Sequence, residues 1–372
     1  MIEPSELPVV DARARKSVSR GARLAELARW AVRLSAVGYL VALLVVVAAL
    51  RLVGERWWVT TGALYLPPIG WALPLPVLVL ALLVGRCYRL LLTQVAAGIV
   101  LLFPLMGLHL SGPRAATPGA TRFRIFTANI GLGISGIEPV LERIRGTDPD
   151  VIVLEEVAPE NVATLKAGLS GYAFRALGQF VVASRFPIEG EYLPPPFSVD
   201  GAADSRHYTR WRLVTPGGPI QLYAFHPVSP HDAFEKLRGE GLIDEIRSGR
   251  ILGPAGKLKM IKNTNRRLAE LRAVAEDAAG SPDPVVIAGD TNLPNLSWAF
   301  ARWLGDYQDG FSETGRGFGY TYPAHKRVWM RIDRVLAGPR FRFLDAAVVP
   351  SRVSQHLAVT ADLELLPAPA PR

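Results

Sequence analysis

Residues 285–294 read VVIAGDTNLP. A short apolar run bounded by turn-forming residues is the pattern of a strand buried on both faces. It is also the strongest strand signal in the C-terminal two thirds. The run ends in Asp290 and Asn292, a carboxylate and an amide. Polar groups at the end of a rigid strand are held firmly while the following loop leaves room for a ligand. Taken alone, Gly289-Asp290 with Asn292 is also a common turn composition.

The same arrangement recurs on either side. FTANIG puts Asn129 at the end of a strand over 123–129, and VIVLEEV puts Glu155 and Glu156 after one over 151–154. YAFHP ends in His226, RIDRVL holds Asp333 and SQHLAV holds His356. Further strands are expected at 179–184, 208–214, 219–225, 284–288, 332–336 and 358–364, with helices at 140–145 and 265–279. Strands mixed with helices in this way indicate packed sheets with helices outside. Each motif has a plain alternative: a loop for His226-Pro227, a solvated pair at a helix start for Glu155-Glu156, a turn cap for Asp333. Their joint occurrence, each after an apolar strand, is the signal. Carboxylates with amide oxygens suit a hard divalent cation, Mg²⁺ or Mn²⁺. The single cysteine, Cys87, excludes an intramolecular disulfide, and no Cys/His cluster has zinc spacing.

In this order the motifs resemble the endonuclease/exonuclease/phosphatase superfamily, which contains pancreatic-type deoxyribonucleases, abasic-site endonucleases, inositol polyphosphate 5-phosphatases and neutral sphingomyelinases. The resemblance covers about residues 121–366 and is carried by TANIG, DVIVLEEV, ASRFPI, FHPVSP, GDTN, YTYP, RIDRVL and SQHLAV. It implies an α/β domain, a four-layer α/β/β/α sandwich, that hydrolyses phosphoesters. It also implies roles. Glu156 is the principal metal ligand, with Asn129 beside it. Asp290 orients or deprotonates the attacking water, and Asn292 holds the phosphate. His226 and His356 meet the phosphoryl oxygens, and Asp333 orients His356. Gln355 stands where the family has Asp, which removes a charge near the metal. Glu155 stands where Gln is usual and adds a carboxylate. Both are candidate metal neighbours. Ala358 for the usual Pro is conservative.

The first third reads differently. Composition is 49% hydrophobic and 20% charged, a balance that a chain divided between membrane and water would give. A bilayer-crossing helix needs about 20 apolar residues. Residues 34–52, 62–84 and 90–110 meet that length, the second interrupted by Pro67, Pro68, Pro74 and Pro76 and so expected to kink or re-enter. Residues 1–29 form a basic tail with Arg13, Arg15, Lys16, Arg20, Arg23 and Arg29, which the positive-inside rule assigns to the cytoplasm. Three crossings then put the C-terminal domain outside; two would reverse that. Residues 111–120 read as a short linker, and 367–372 as a disordered tail.

The expected partners are the bilayer and a phosphorylated substrate. A ten-residue linker reaches at most ~35 Å, which holds the site close to a lipid phosphate. The layout resembles the membrane-bound members of the superfamily linked to teicoplanin resistance, which act on undecaprenyl pyrophosphate outside the cell. Residues 231–265 read as an insertion carrying Lys236, Arg238, Arg247, Arg250, Lys257, Lys259 and Lys262, either a solvated loop or a basic lip for anionic headgroups. Arg206, Arg210 and Arg212 are candidate phosphate ligands. The net charge of +9 is equally compatible with nucleic acid. An extracytoplasmic nuclease, a sphingomyelinase-type phospholipase C and a catalytically decayed membrane protein are the alternatives.

Overall fold

In the computed structural model, which describes residues 20–196, 199, 207–234, 253–325, 327–350 and 354–367, strand alternation decides the architecture. In chain order the strands are β1 (His109–Leu110), β2 (Thr121–Asn129), β3 (Val151–Glu155), β4 (Ala173–Leu177), β5 (Phe180–Ser184), β6 (Ile188–Tyr192), β7 (Tyr208–Thr215), β8 (Gly218–Phe225), β9 (Val285–Asp290), β10 (Gln308–Asp309), β11 (Arg316–Gly317), β12 (Asp333–Ala337), β13 (Phe341–Val349) and β14 (Ala358–Leu365). One sheet has the order β13-β14-β2-β3-β5-β4 and the other β10-β12-β9-β8-β7-β6. The parallel pairs are β2–β3 and β8–β9, each crossed over by a helix, Glu138–Thr147 and Pro254–Ala279.

Along β2 and β3, Phe123, Ile125, Val151 and Val153 face the other sheet, where they meet Trp211, Leu222, Val286 and Val335. Phe126, Ile152 and Leu154 face outward and are covered by Val140, Leu141 and Ile144 of the first crossover helix. Beyond the second sheet, Leu271, Val274 and Ala278 of the long helix cover Tyr223, Phe225 and Ile287. The result is helix on sheet on sheet on helix, the expected four-layer sandwich. Burying each large apolar side chain contributes about 1.5–3 kcal/mol before chain entropy is counted.

The long helix begins at Pro254, so the expected insertion is helical from there on, and residues 235–252 lie outside the described residues, as does 368–372.

In the N-terminal third, Arg23–Leu52 and Tyr88–Leu105 are long and apolar enough to cross a membrane. The proline-rich stretch divides into Trp58–Leu64 and Pro68–Val84, bent by 92° across Pro67 and Pro68. The second piece runs back along the first helix: the Tyr39 hydroxyl donates to Trp71 O at 2.7 Å, and Arg33 Nε lies 3.4 Å from Cys87 Sγ.

The helices are docked on the sandwich, not merely tethered to it. β1 pairs with β11. Residues 111–120 are irregular but tied down: Arg114 N donates to Leu344 O at 2.7 Å, and Thr117 N and Oγ1 both donate to the Glu364 carboxylate at 2.8 Å. Buried Glu55 accepts from Ala299 N at 3.1 Å and from the Ser297 hydroxyl, the residue that caps helix Trp298–Trp303. Backbones approach closely at Gly54 (φ +48°), where a Cβ would lie 2.6 Å from Trp298 Cβ.

Candidate active site

The alternation that fills the space between the sheets also builds the site. Asn129, Glu155, His226, Asp290 and Asp333 continue the inward-facing registers of β2, β3, β8, β9 and β12. At this end of the sandwich the apolar filling gives way to polar side chains. Paired register sets Asp333 directly opposite Asp290.

Glu156 is a different case. It follows the last residue of β3 with φ +49°, a region sparsely used by non-glycine residues. The turn brings its carboxylate to Asn129 Nδ2 at 3.1 Å and to His226 Nε2 at 3.3 Å. His226 Nε2 also lies 3.5 Å from Asp290 Oδ2, and Asn129 Nδ2 lies 3.4 Å from the same oxygen. On the far side, His356 Nδ1 is 3.0 Å from Asp333 Oδ2, and its Nε2 is 3.7 Å from Asp290 Oδ2. Asn292 adopts φ +51°, donates its backbone N–H to Asp290 Oδ1 at 2.8 Å and its side-chain amide to Pro227 O at 3.0 Å. The seven residues expected to form the centre therefore converge. Three of them, Asn129, Glu156 and His356, line a cleft of about 180 Å³ together with Gly131, Ser229, His231, Tyr322 and Gln355.

Electrostatics separate the two sides. Burial pushes the Asp290 carboxyl above its ordinary value, against the opposing pull of His356. Burial opposes a charged ring at His356, yet Asp333 and Asp290 outweigh it and hold its pKa up at about 10. The charged form of the His356 ring is thus favoured, and the Asp290 carboxylate is more basic than a free one. Such a pair suits water activation opposite charge stabilisation.

Oxygen atoms of Glu156 and Asp290 fit a hard divalent cation; Asn129 turns its Nδ2 toward them while its Oδ1 accepts from the Gly131 N–H at 3.0 Å, so it could add an oxygen only with the amide turned over. Asp290, Asp333 and His356 also offer ligand atoms within 4.8 Å of one another, but His356 Nδ1 is engaged by Asp333. Gln355 lines the cleft with an exposed side chain. Glu155 does not line it. Its side chain is fully buried, accepts from the Thr127 hydroxyl at 2.7 Å, and is held well above the usual carboxylate range by burial. In its neutral form it has the shape of the glutamine usual in the resembled family.

The arginines are placed elsewhere. Arg210 pairs with Asp277 and lies over the Tyr192 ring at 4.4 Å. Arg212 pairs with Asp283 at 2.9 Å and with Glu189. Both sit in ion pairs on the sheet, outside the cleft lining, and Arg206 lies outside the described residues.

One contributor has no sequence signal. Gln179, in the turn of the β4–β5 hairpin, accepts from His226 Nδ1 at 2.9 Å and so directs Nε2 at the carboxylates. Replacing it with leucine should lower kcat about tenfold, the worth of one such hydrogen bond. Steady-state assay beside a thermal melt checks this; unchanged kcat would show that Gln179 does not set the ring.

A search of curated proteins returned no match. Solved structures similar to this chain include an endonuclease/exonuclease/phosphatase from Beutenbergia cavernae, 22% identical over 68% of this chain and 73% of that one, with a TM-score of 0.47. A humanized D. rerio TDP2 is 17% identical over 65% and 98%, with a TM-score of 0.48. A mannosyl-6-phosphatase of Bacteroides thetaiotaomicron is 13% identical over 64% and 98%, with a TM-score of 0.46. The model of the Endonuclease/Exonuclease/phosphatase family matches residues 126–356, more than half of the chain. The chain therefore belongs to the endonuclease/exonuclease/phosphatase family, whose members are metal-dependent phosphoester hydrolases.

Proposed function

We propose that the protein hydrolyses a membrane lipid phosphate or pyrophosphate, of the undecaprenyl pyrophosphate kind, at the outer face of the membrane with Mg²⁺ or Mn²⁺. One observation carries the substrate class: two of the segments that line the cleft also rest on the membrane helices. Ser229 and His231 lead directly into Ala233 and Phe234, which pack with Leu43, Leu64 and Tyr65. Tyr322 lines the cleft, and with Trp329 it packs against the same cluster. A headgroup entering the cleft would keep its chain beside the bilayer. The chain's folding back at Cys87 and its return through Tyr88–Leu105 favour three crossings, and with the basic tail inside they leave the sandwich outside.

In this reading, bound metal at Glu156 and Asn129 supplies polarisation of a phosphoryl oxygen. Asp290 takes a proton from water as its oxygen bonds to phosphorus and the bridging P–O bond breaks. His356, charged and held by Asp333, meets the growing negative charge, with His226 and the Asn292 amide beside it.

Phosphate release from undecaprenyl pyrophosphate by the detergent-purified full chain, with Mg²⁺ or Mn²⁺ and with EDTA as control, tests the proposal. Metal-dependent release, with plasmid DNA and sphingomyelin left intact, is expected. DNA nicking or sphingomyelin cleavage without lipid phosphate release would sink the substrate and keep the site.

A further inference from the structure

We propose that the membrane helices form part of the catalytic apparatus, with the Tyr65 hydroxyl as a positioning group for Asn292. This rests on the phosphate-holding role proposed for Asn292 and not on the identity of the lipid. Asn292 sits at φ +51°, a left-handed conformation that asparagine tolerates better than most residues and that its surroundings hold in place. Three contacts do so. Two are internal to the sandwich: its N–H donates to Asp290 and its side-chain amide to Pro227 O. The third crosses from the helices, where the Tyr65 hydroxyl donates to Asn292 O at 2.8 Å.

Tyr65 is itself immobilised. It is buried, its ring centroid lies 5.1 Å from that of Phe234, and the fully buried Arg267 guanidinium stands 5.5 Å over it. The rest of the loop is clamped by the same region. Arg51 Nη1 donates to Asn295 O at 3.3 Å, and Gly107 (φ +72°) approaches Asn295 so closely that a Cβ would lie 2.1 Å from its Nδ2. Glu55 fixes Ser297 and Ala299 just beyond. A tether would need none of these contacts. They lie on the segment that leaves β9 directly after the proposed base, carries the proposed phosphate ligand and runs into the helix Trp298–Trp303.

The test uses the full-length, detergent-purified protein with Mn²⁺ and a soluble substrate, whichever of p-nitrophenyl phosphate and bis-p-nitrophenyl phosphate turns over faster. Failure of the lipid reading leaves this assay untouched. Tyr65→Phe, which keeps the ring, should lower kcat about tenfold with KM changed by less than about twofold. Tyr39→Phe loses an equivalent hydroxyl-to-carbonyl bond inside the helices, to Trp71 O, and should leave kcat unchanged. In an Asn292→Ala background, Tyr65→Phe should cost less than about a further twofold, because the group it positions is gone. Unchanged kcat in Tyr65→Phe, an equal fall in Tyr39→Phe, or the full loss persisting without the Asn292 side chain would each overturn the proposal.

Discussion

Asp290→Asn should lower kcat about 10³-fold and leave the protein at least as stable as before. The loss is sized on general-base catalysis, worth about 10²–10⁴-fold. Asparagine keeps the shape and the contact to the Asn292 N–H but cannot take a proton. The stability half follows from burial. Asp290 is 1% exposed, lies opposite Asp333 in the paired strands, and has its folded-state pKa raised by desolvation. A raised carboxylate pKa means that the ionised form disfavours folding at neutral pH, an effect relieved as pH falls through the folded value. A neutral isostere removes that penalty, the usual trade between activity and stability at such sites. Turnover of a soluble phosphoester beside a thermal melt reads both. Loss of activity together with a lower melting temperature would make Asp290 a structural residue instead.

The same alternation explains what the sequence made legible. A run such as VVIAGD announces a strand because both faces of it are buried, and the polar residue at its end falls on whichever face the register dictates. Asn129, His226, Asp290 and Asp333 were readable for that reason. Glu155 and Glu156 were not separable by adjacency alone. One follows the register into the core, and the other leaves it through φ +49°, a backbone choice that no residue type announces. Strands β4, β6 and β13 were missed because they are edge or near-edge strands with mixed exposure: AFRAL, IEGEY and FRFLDAAVV carry charge where a central strand carries valine. The first turns of the long helix, PAGKLKM, looked like a basic loop because Met260 alone is buried there, against the membrane helices. Arg210 and Arg212 drew attention by charge, but their carboxylate partners, Asp277 and Asp283, lie about seventy positions away, a separation that only the fold resolves. Docking of the helices was hidden for the same reason. Glu55 reads as an ordinary loop acid until Ser297 and Ala299 are brought to it.

Asp309→Ala should destabilise the protein by about 3–5 kcal/mol, the cost of removing one partner from a buried charge cluster. Asp309 accepts from Arg331 Nη1 with both carboxylate oxygens at 2.6 Å, and Arg334 Nη1 joins it. Without it, two buried guanidiniums are left facing each other. Burial and the neighbouring Arg331 already pull Arg334 down to about 10. The damage should also reach the active site, because Arg334 Nη2 donates to Leu293 O and Asn295 Oδ1 on the loop that carries Asn292. The pH dependence has a definite sign. Burial alone would raise the Asp309 carboxyl, but Arg331 and Arg334 outweigh it and hold it far below the usual range. A depressed carboxylate stabilises fully above its unfolded pKa, about 3.9, and the contribution is lost as pH falls below that toward the folded value. Wild-type melting temperature should therefore drop steeply under acid, while the variant starts lower at neutral pH and declines less. Melts of both proteins in the same detergent from neutral pH down to about pH 2 decide it. A variant melting within about 2 °C of wild type at neutral pH would mean that the arginines find other acceptors, and that the loop beside Asp290 does not depend on this cluster for its position.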